Sequence, residues 1–586
     1  MPETKAQQVK LLQLLGDPDI LRVPLFQRDY TWRERQLRAL WNDIETVIDD
    51  LYPTRFLGAL VFDSEGEALA LKAGTKWVVD GQQRLVTLFM FLVVIASELR
   101  DAGAEQDAKD LVSAYLASQS QNERDLPRIR PTVKDFRQMN RVLKTIEGIG
   151  MKSIPGVVGG DTGNLIAQHR RIQKIVAKHL DGTEGDGRAE KLRELRSVLL
   201  EKLEFVEIIL GDEHDVNEVF DRLNSTGEPL AIVDLVRNNV MRLSMSDPEL
   251  SVTLYDGQWR PFEDSFPEGS IGGYFFPYAL TLNPKTTKAS TFHDLADHWR
   301  EKTAGTEDIT AKTMAVMQDL SRHIDAYLAV EIGSPSERIQ AHPVLAGSLD
   351  RLHRLGTPSS IYPYILSAVE ACLNGDVAEQ DVAASFSVIE SFLVRRAFVG
   401  LEPTGLHAVF KGLWSSLDNP VDPISVRRGI VTNTIQFPSD EDFSVAVRVG
   451  DLYHRVISVY VLMEYELDTR GPGDPLPMEV PYQKDHVLPQ RPSDDAAWLR
   501  EWSTQDRSKW IHTFANLVLL TGPANQLKDN LGFADAKRIL GENILCNSTA
   551  KVFSGSEWTA EVVAARAERL VEWSIARWPY FGEYLT

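Results

Sequence analysis

The chain has 586 residues, of which 43% are hydrophobic and 25% charged. At roughly 100 to 200 residues per domain this length implies several folding units, and the composition excludes wholesale disorder, collagen-like repeats and coiled coil. The formal charge of −21 excludes a surface that coats nucleic acid or anionic membrane throughout, though not a confined site.

Two cysteines, Cys372 and Cys546, are too few for a disulfide framework or a Cys-based zinc site and fit a reducing, cytoplasmic compartment. The first residues show no basic segment leading into an apolar run. The most apolar stretch, 85–96, is shorter than the roughly 18 residues of a membrane span, so it reads as a buried helix and no membrane partner is expected.

In chain order, residues 33–51 read as an amphipathic helix with Leu37, Leu40, Trp41, Ile44, Val47, Ile48 and Leu51 on one stripe. Strand-like runs follow at 56–62, 77–79 and 205–210. Residues 121–150 hold seven Lys or Arg against four Asp or Glu, a surplus that fits either a solvated helical face or a phosphate-facing surface. From 211 to 465 only helical periodicity is found. Four Pro and two Gly within 468–481 mark a linker. The expected organisation is therefore an N-terminal domain at 1–240, a helical connecting region at 241–467, the linker, and an appended domain at 482–586. Segments 20–100 and 481–551 carry ten basic against eleven acidic and nine against eight residues. The acidity thus belongs mainly to the helical middle and the tails.

Three clusters carry chemistry in the first 240 residues. Trp77-Val-Val-Asp80-Gly81-Gln82-Gln83-Arg84-Leu-Val-Thr87 reads as a strand, a tight turn and a helix starting near Gln82. Free N–H groups at a helix start, with the positive dipole end and Arg84 nearby, can cradle phosphate. Gly81 permits close backbone approach, and Gln82 or Gln83 can hydrogen-bond a base, ribose or phosphate. The plainer alternative makes Asp80 the N-cap and Arg84 a surface partner. The second cluster sets Gln27, Arg28, Tyr30 and Trp32 on an extended segment before the first helix. The third, Phe220-Asp-Arg-Leu-Asn224-Ser-Thr-Gly-Glu-Pro-Leu230, is a polar turn between helices.

Together these clusters resemble the DUF262 family, the ParB and sulfiredoxin-like domain of GmrSD-type proteins, marked by PxxQRxYxW, DGQQRxxT and FxxLNxxGxPL segments. The resemblance implies an NTP-binding, often NTP-hydrolysing α+β domain that senses DNA state. It places Asp80, Gly81, Gln82, Gln83, Arg84 and Thr87 in the nucleotide site, with Gln27, Arg28 and Asn224 beside them, for GTP, ATP, UTP or CTP.

A further constellation lies near the C-terminus: Asp485 and His486 in Gln483-Lys-Asp485-His486-Val-Leu-Pro489, then Asn516 in Phe514-Ala-Asn516-Leu-Val-Leu-Leu520, then Asn525 and a helix-like segment at 532–540. This order reads as two strands and a helix. Phosphodiester hydrolysis needs a base for water and a divalent cation for the developing charge. Imidazole titrates near neutrality, and Asp485 and Asn525 offer hard oxygens for Mg²⁺ or Mn²⁺. Asn516 could orient the imidazole. A surface Asp-His pair with turn-forming Asn residues is the alternative.

The pattern resembles the DUF1524 branch of HNH endonucleases, marked by DHxxPQ, GNLxLL and an Asn-containing turn before a helix bearing Lys. Here Ala515 replaces the Gly of the strand motif. The resemblance makes His486 the general base, Asp485 and Asn525 metal ligands, Asn516 the orienting residue and Lys537 a phosphate contact. His512, Lys509, Arg507 and Lys528 read as ordinary surface or as cations along a DNA path.

Both domains on one chain resemble GmrSD-like, modification-dependent restriction enzymes. The expected fold is multidomain α+β and predominantly helical, with a ParB/sulfiredoxin-like N-terminal domain, an all-α middle and a ββα-metal (HNH) nuclease. The expected function is NTP-regulated, metal-dependent cleavage of modified double-stranded DNA, with a homodimer needed if both strands are cut. The alternatives are an NTP-dependent DNA-binding regulator with an inactive nuclease domain, and an acidic helical scaffold.

Overall fold

The computed structural model describes residues 5–582 except 24–26, 28, 64–74, 119–124, 153–161, 211–230, 243–249, 251–252, 402–404, 472 and 492–500. The chain is mostly helical with a small mixed sheet, an α+β composition. It divides into two units, Met1–Gly272 with Leu295–Asp319, and Gly273–Asp294 with Leu320–Thr586. The helical stretch 241–467 is therefore shared between them. Among the described residues of 232–470 there is no strand, as the periodicity predicts.

The strands of the first unit are β1 (Lys5–Lys10), β2 (Ile20–Arg22), β3 (Arg55–Asp63), β4 (Thr75–Asp80), β5 (Ile129–Arg130) and β6 (Leu203–Leu210). They form one mixed sheet in the order β1-β6-β3-β4-β2-β5. The runs expected at 56–62, 77–79 and 205–210 supply β3, β4 and β6, rich in the aromatic and β-branched residues that suit a pleated, half-buried surface. Strand β1, KAQQVK, buries only Val9. Its Gln7 and Gln8 instead donate to Glu207 and Glu204 of antiparallel β6, at 2.6 and 2.9 Å. Glu207 is buried, and Lys76 at 3.5 Å adds a compensating charge.

Helix α1 (Glu34–Ile48) buries Leu37, Leu40, Ile44 and Val47, as its stripe predicts. Leu51 lies beyond its end and is 67% exposed. Trp41 stacks on Phe91 of the next helix, α2 (Gln82–Asp101), with centroids 5.8 Å apart. Helix α2 corrects the expectation that this stretch is too short for a span. Its 20 residues are long and apolar enough to cross a membrane, but 83% of its most apolar window is buried inside the protein. Leu88, Phe89, Phe91, Leu92 and Val93 are fully enclosed, each contributing about 1.5–3 kcal/mol through burial. Part of the basic surplus in 121–150 is also internal. Arg128 is 1% exposed, and its guanidinium donates to the carbonyls of Leu15, Asp17 and Ala117.

In the second unit the elements that position the site are α3 (Glu379–Val399), α4 (Asp440–Val449), α5 (Ser458–Arg470), β7 (Tyr482–His486), β8 (Leu517–Thr521), α6 (Gly522–Lys528), α7 (Phe533–Leu540) and α8 (Ala560–Arg577). One hydrophobic cluster joins Val394 and Phe398 of α3, Phe443 of α4 and Val461 of α5 to Leu517, Leu519, Leu540 and Leu570. Residues after 481 thus share a core with the preceding helices, and α5 runs to Arg470, into the Pro- and Gly-rich stretch. The same core encloses Glu390, 2% exposed, between Arg577 (2.6 Å), Arg351 (3.2 Å), Tyr460 Oη (2.8 Å) and Trp578 Nε1 (2.8 Å). That satisfaction is what allows a carboxylate inside.

Candidate active site

Strands β7 and β8 are antiparallel, pairing Tyr482 with Thr521 through to His486 with Leu517. Helix α6 follows β8 directly, its first turn capped by Thr521 and opened by Pro523. Alternation puts Gln483 and Asp485 on one face of β7, while three-residue spacing puts Asn525 and Lys528 on one face of α6. These faces meet. Asn525 Nδ2 donates to Gln483 Oε1 at 2.9 Å, and Lys528 Nζ lies 2.8 Å from Asp485 Oδ2. The Lys528 side chain is only 1% exposed.

His486 ends β7 and is 5% exposed. The Tyr453 ring covers it at a centroid distance of 4.1 Å. Its Nε2 lies 3.3 Å from His512 Nδ1 and 3.4 Å from Gln490 Nε2. Burial, then the neighbouring His512, Lys528 and His454, push the imidazole down to about 3, while Asp451 pulls the other way. His486 is therefore held in its neutral form at physiological pH, with one ring nitrogen unprotonated. Burial also lowers His512. A pocket of about 310 Å³ is lined by Asp485 and His486 together with Tyr453, Pro489, Gln490, Arg491, Lys528, Asp529 and Asn530.

Asn516 is fully buried just before β8. Its Oδ1 accepts from Leu488 N–H (2.9 Å) and Trp558 Nε1–H (3.1 Å), and its Nδ2 donates to the carbonyls of Leu488 (3.1 Å) and Ile511 (2.9 Å). Val487 N–H bonds the Asn516 carbonyl at 2.9 Å. Asn516 thus fixes the main chain just beyond His486; its carboxamide oxygen is engaged there and not on the imidazole. Lys537 is exposed, with Nζ donating to the carbonyls of Ser554 and Gly555 at 3.2 and 2.8 Å, and it does not line the pocket. Asn525 sits one helical turn before the pocket residue Lys528. Lys528 and His512, which in sequence read as ordinary surface or as cations along a DNA path, contact Asp485 and His486. The spacing of Lys528 from Asn525 on one helix was the signal that could have found it.

In the first unit, β4 ends at Asp80 and α2 starts at Gln82, with Gly81 as N-cap at φ 90°. A Cβ at Gly81 would lie 2.2 Å from Leu60 Cδ2, so both the backbone and the space demand glycine. No side chain caps the helix start, so Asp80 is not the cap. Arg84 lies 4.0 Å from Asp80 and donates to the Leu57 carbonyl at 2.5 Å. The glutamines join the two motifs. Gln27 donates to the Val79 carbonyl at 2.8 Å, Gln82 donates to Gln27 Oε1 at 3.2 Å, and Gln83 Oε1 accepts from Thr31 N–H at 2.9 Å. Thr87 Oγ1 lies 2.6 Å from Tyr30 Oη. Gln27, Gln82 and Gln83 are all buried, and their bonds hold Gln27 on β4 and α2 and Thr31 on α2. Arg28 and Asn224 lie outside the described residues.

Comparison with protein families matches residues 11–241 to the GmrSD restriction endonuclease N-terminal domain and residues 437–573 to the GmrSD restriction endonuclease C-terminal domain. No curated protein matches the chain. The first match contains the Asp80 to Arg84 turn and the second contains the whole Asp485 and His486 pocket. By domain architecture the chain belongs to the GmrSD-like restriction endonucleases.

Proposed function

We propose that the chain is a metal-dependent DNA endonuclease of the type IV, modification-dependent restriction kind, controlled by a nucleotide bound to its first unit. The observation that carries this reading is the pocket in which Asp485 adjoins a buried, neutral His486 at the end of a strand-strand-helix unit. Water needs a proton acceptor to attack a phosphodiester, and His486 holds the unprotonated nitrogen for that step. Asn516 keeps the following main chain in place, so the imidazole stays aimed at the pocket. Lys528 and Arg491 supply positive charge for phosphate oxygens.

The residues fit a hard divalent cation. Asp485, Asp529 and Asn530 bring oxygen atoms to the pocket, and a buried ammonium already lies against Asp485. Asp485 would hold Mg²⁺ or Mn²⁺ together with an oxygen of Asp529 or Asn530 in the same pocket, with Lys528 yielding its place on the carboxylate. When bound, the ion takes up charge on the scissile phosphate and leaving oxygen. In the first unit the uncapped start of α2, Gly81 and the Arg84 guanidinium support binding of nucleoside triphosphate phosphates.

The test is a cleavage panel: full-length protein, plasmids with differently modified bases, Mg²⁺ or Mn²⁺, and each of GTP, ATP, UTP and CTP. Products should form only with a divalent ion, vanish on chelation, and depend on modification and nucleotide. Intact DNA under every condition would refute the nuclease reading.

A further inference from the structure

A second group of ligand-forming side chains lies beside the pocket. Asp451 and His454 come from the turn between α4 and α5, and His512 from the segment before β8. One donor atom from each lies within 4.8 Å of the other two. The turn is built around this meeting. Leu452 N–H and Tyr453 N–H both donate to the His512 carbonyl, at 3.0 and 3.1 Å, and His454 N–H donates to Asp451 Oδ1 at 3.1 Å. The ring centroids of His454 and His512 are 4.7 Å apart. Lys484 Nζ donates to the Tyr453 carbonyl and to Ser458 Oγ, tying the turn to β7.

We infer that Asp451, His454 and His512 bind a divalent transition-metal ion at a site separate from the Asp485 and His486 pocket. Two imidazoles with one carboxylate favour Zn²⁺, Co²⁺ or Ni²⁺ over Mg²⁺, which prefers all-oxygen ligands and keeps much of its water. Bonds of about 2.0–2.1 Å in a tetrahedral site put donor atoms roughly 3.4 Å apart. The three donors lie within 4.8 Å of one another, with Asp451 Oδ2 and His454 Nδ1 already 2.8 Å apart, so side-chain shifts of about an ångström bring them to these distances. Asp451 and His454 are 46% and 62% exposed, so solvent reaches the cluster and can complete the coordination. The bound ion would fix the His512 ring that contacts His486, linking the two sites through one residue. The inference does not depend on the nuclease reading, because metal uptake is measured without DNA.

The experiment strips the full-length protein with chelator, then titrates ZnCl₂ by calorimetry and CoCl₂ by visible absorption. Wild type should bind an equivalent that His454→Ala loses or binds at least about tenfold more weakly, together with the imidazole-dependent cobalt absorption. Asp451→Asn should behave alike, and Asp485→Asn and His486→Ala should retain that equivalent. His454 is exposed on a turn, so its removal should leave the melting temperature unchanged, and Asp451→Asn provides a second reading if it does not. If both variants bind as wild type does, Asp451 and His454 form only a surface ion pair and the inference fails. It fails equally if the equivalent is lost in His486→Ala or Asp485→Asn but kept in His454→Ala.

Discussion

Asn516 is the residue on which the geometry of the pocket depends, although it touches neither His486 nor the space in front of it. Its carboxamide meets four main-chain or indole groups around Leu488, Ile511 and Trp558. Replacement by alanine leaves these buried groups without their partner, at about 1–3 kcal/mol for each one left unsatisfied. Asn516→Ala should therefore lower stability by at least about 3 kcal/mol in chemical denaturation and also impair cleavage. Wild-type stability would show that the contacts are dispensable. The order of Asp485, His486 and Asn516 in the sequence marked the two strands that the structure pairs, but not the place of the Asn516 carboxamide, which holds main chain and not the imidazole. Lys528 was not legible. A lysine in a polar segment reads as solvated surface, and only the pairing of α6 against β7 reveals that it is buried on Asp485.

Elements were legible where one face is apolar. Helix α1 and strands β3, β4 and β6 show their periods in the sequence, whereas β1 does not, because KAQQVK is held by main-chain pairing and by glutamine-to-glutamate bonds. Strands β2 and β5, of three and two residues, are too short for alternation to register. Helix α2 exceeds its apolar run because Gln82, Gln83 and Arg84 continue the helix while bonding to neighbouring chain. The Asp80-Gly81 turn that launches it was legible, and the structure adds the steric reason. Gly81→Ala would place a methyl group against Leu60 with the backbone at φ 90°. The combined strain should cost about 1–3 kcal/mol and lower the melting temperature. An unchanged melting temperature would mean that the turn relaxes freely.

At the scale of the whole molecule, the −21 charge is carried mainly outside the two motif-bearing segments, which are nearly neutral, and this fits a confined DNA contact and not a coating surface. The tertiary arrangement was least legible there. Residues after 481 look like an appended piece in sequence, yet long-range contacts place them in one core with α3, α4 and α5. Two buried histidines also make stability depend on pH. Burial, helped by Arg170, pushes His169 down to about 4, and His486 lies at about 3. The unfolded chain binds these protons near the ordinary value of 6.5 while the native state refuses them, so stability falls as pH drops below that value. At pH 5 each group should cost about 2 kcal/mol relative to pH 7. His169→Gln should therefore lose less melting temperature than wild type between pH 7 and pH 5; equal losses would contradict the assignment.

On the proposed reading, His486 is the base of a metal-dependent nuclease. The most direct measurement compares plasmid cleavage by wild type and His486→Ala in Mg²⁺ or Mn²⁺, with folding checked by circular dichroism. A folded variant should be slower by roughly 10²–10⁴-fold on every substrate the wild type cuts. Equal rates from the two proteins would show that His486 is not the base.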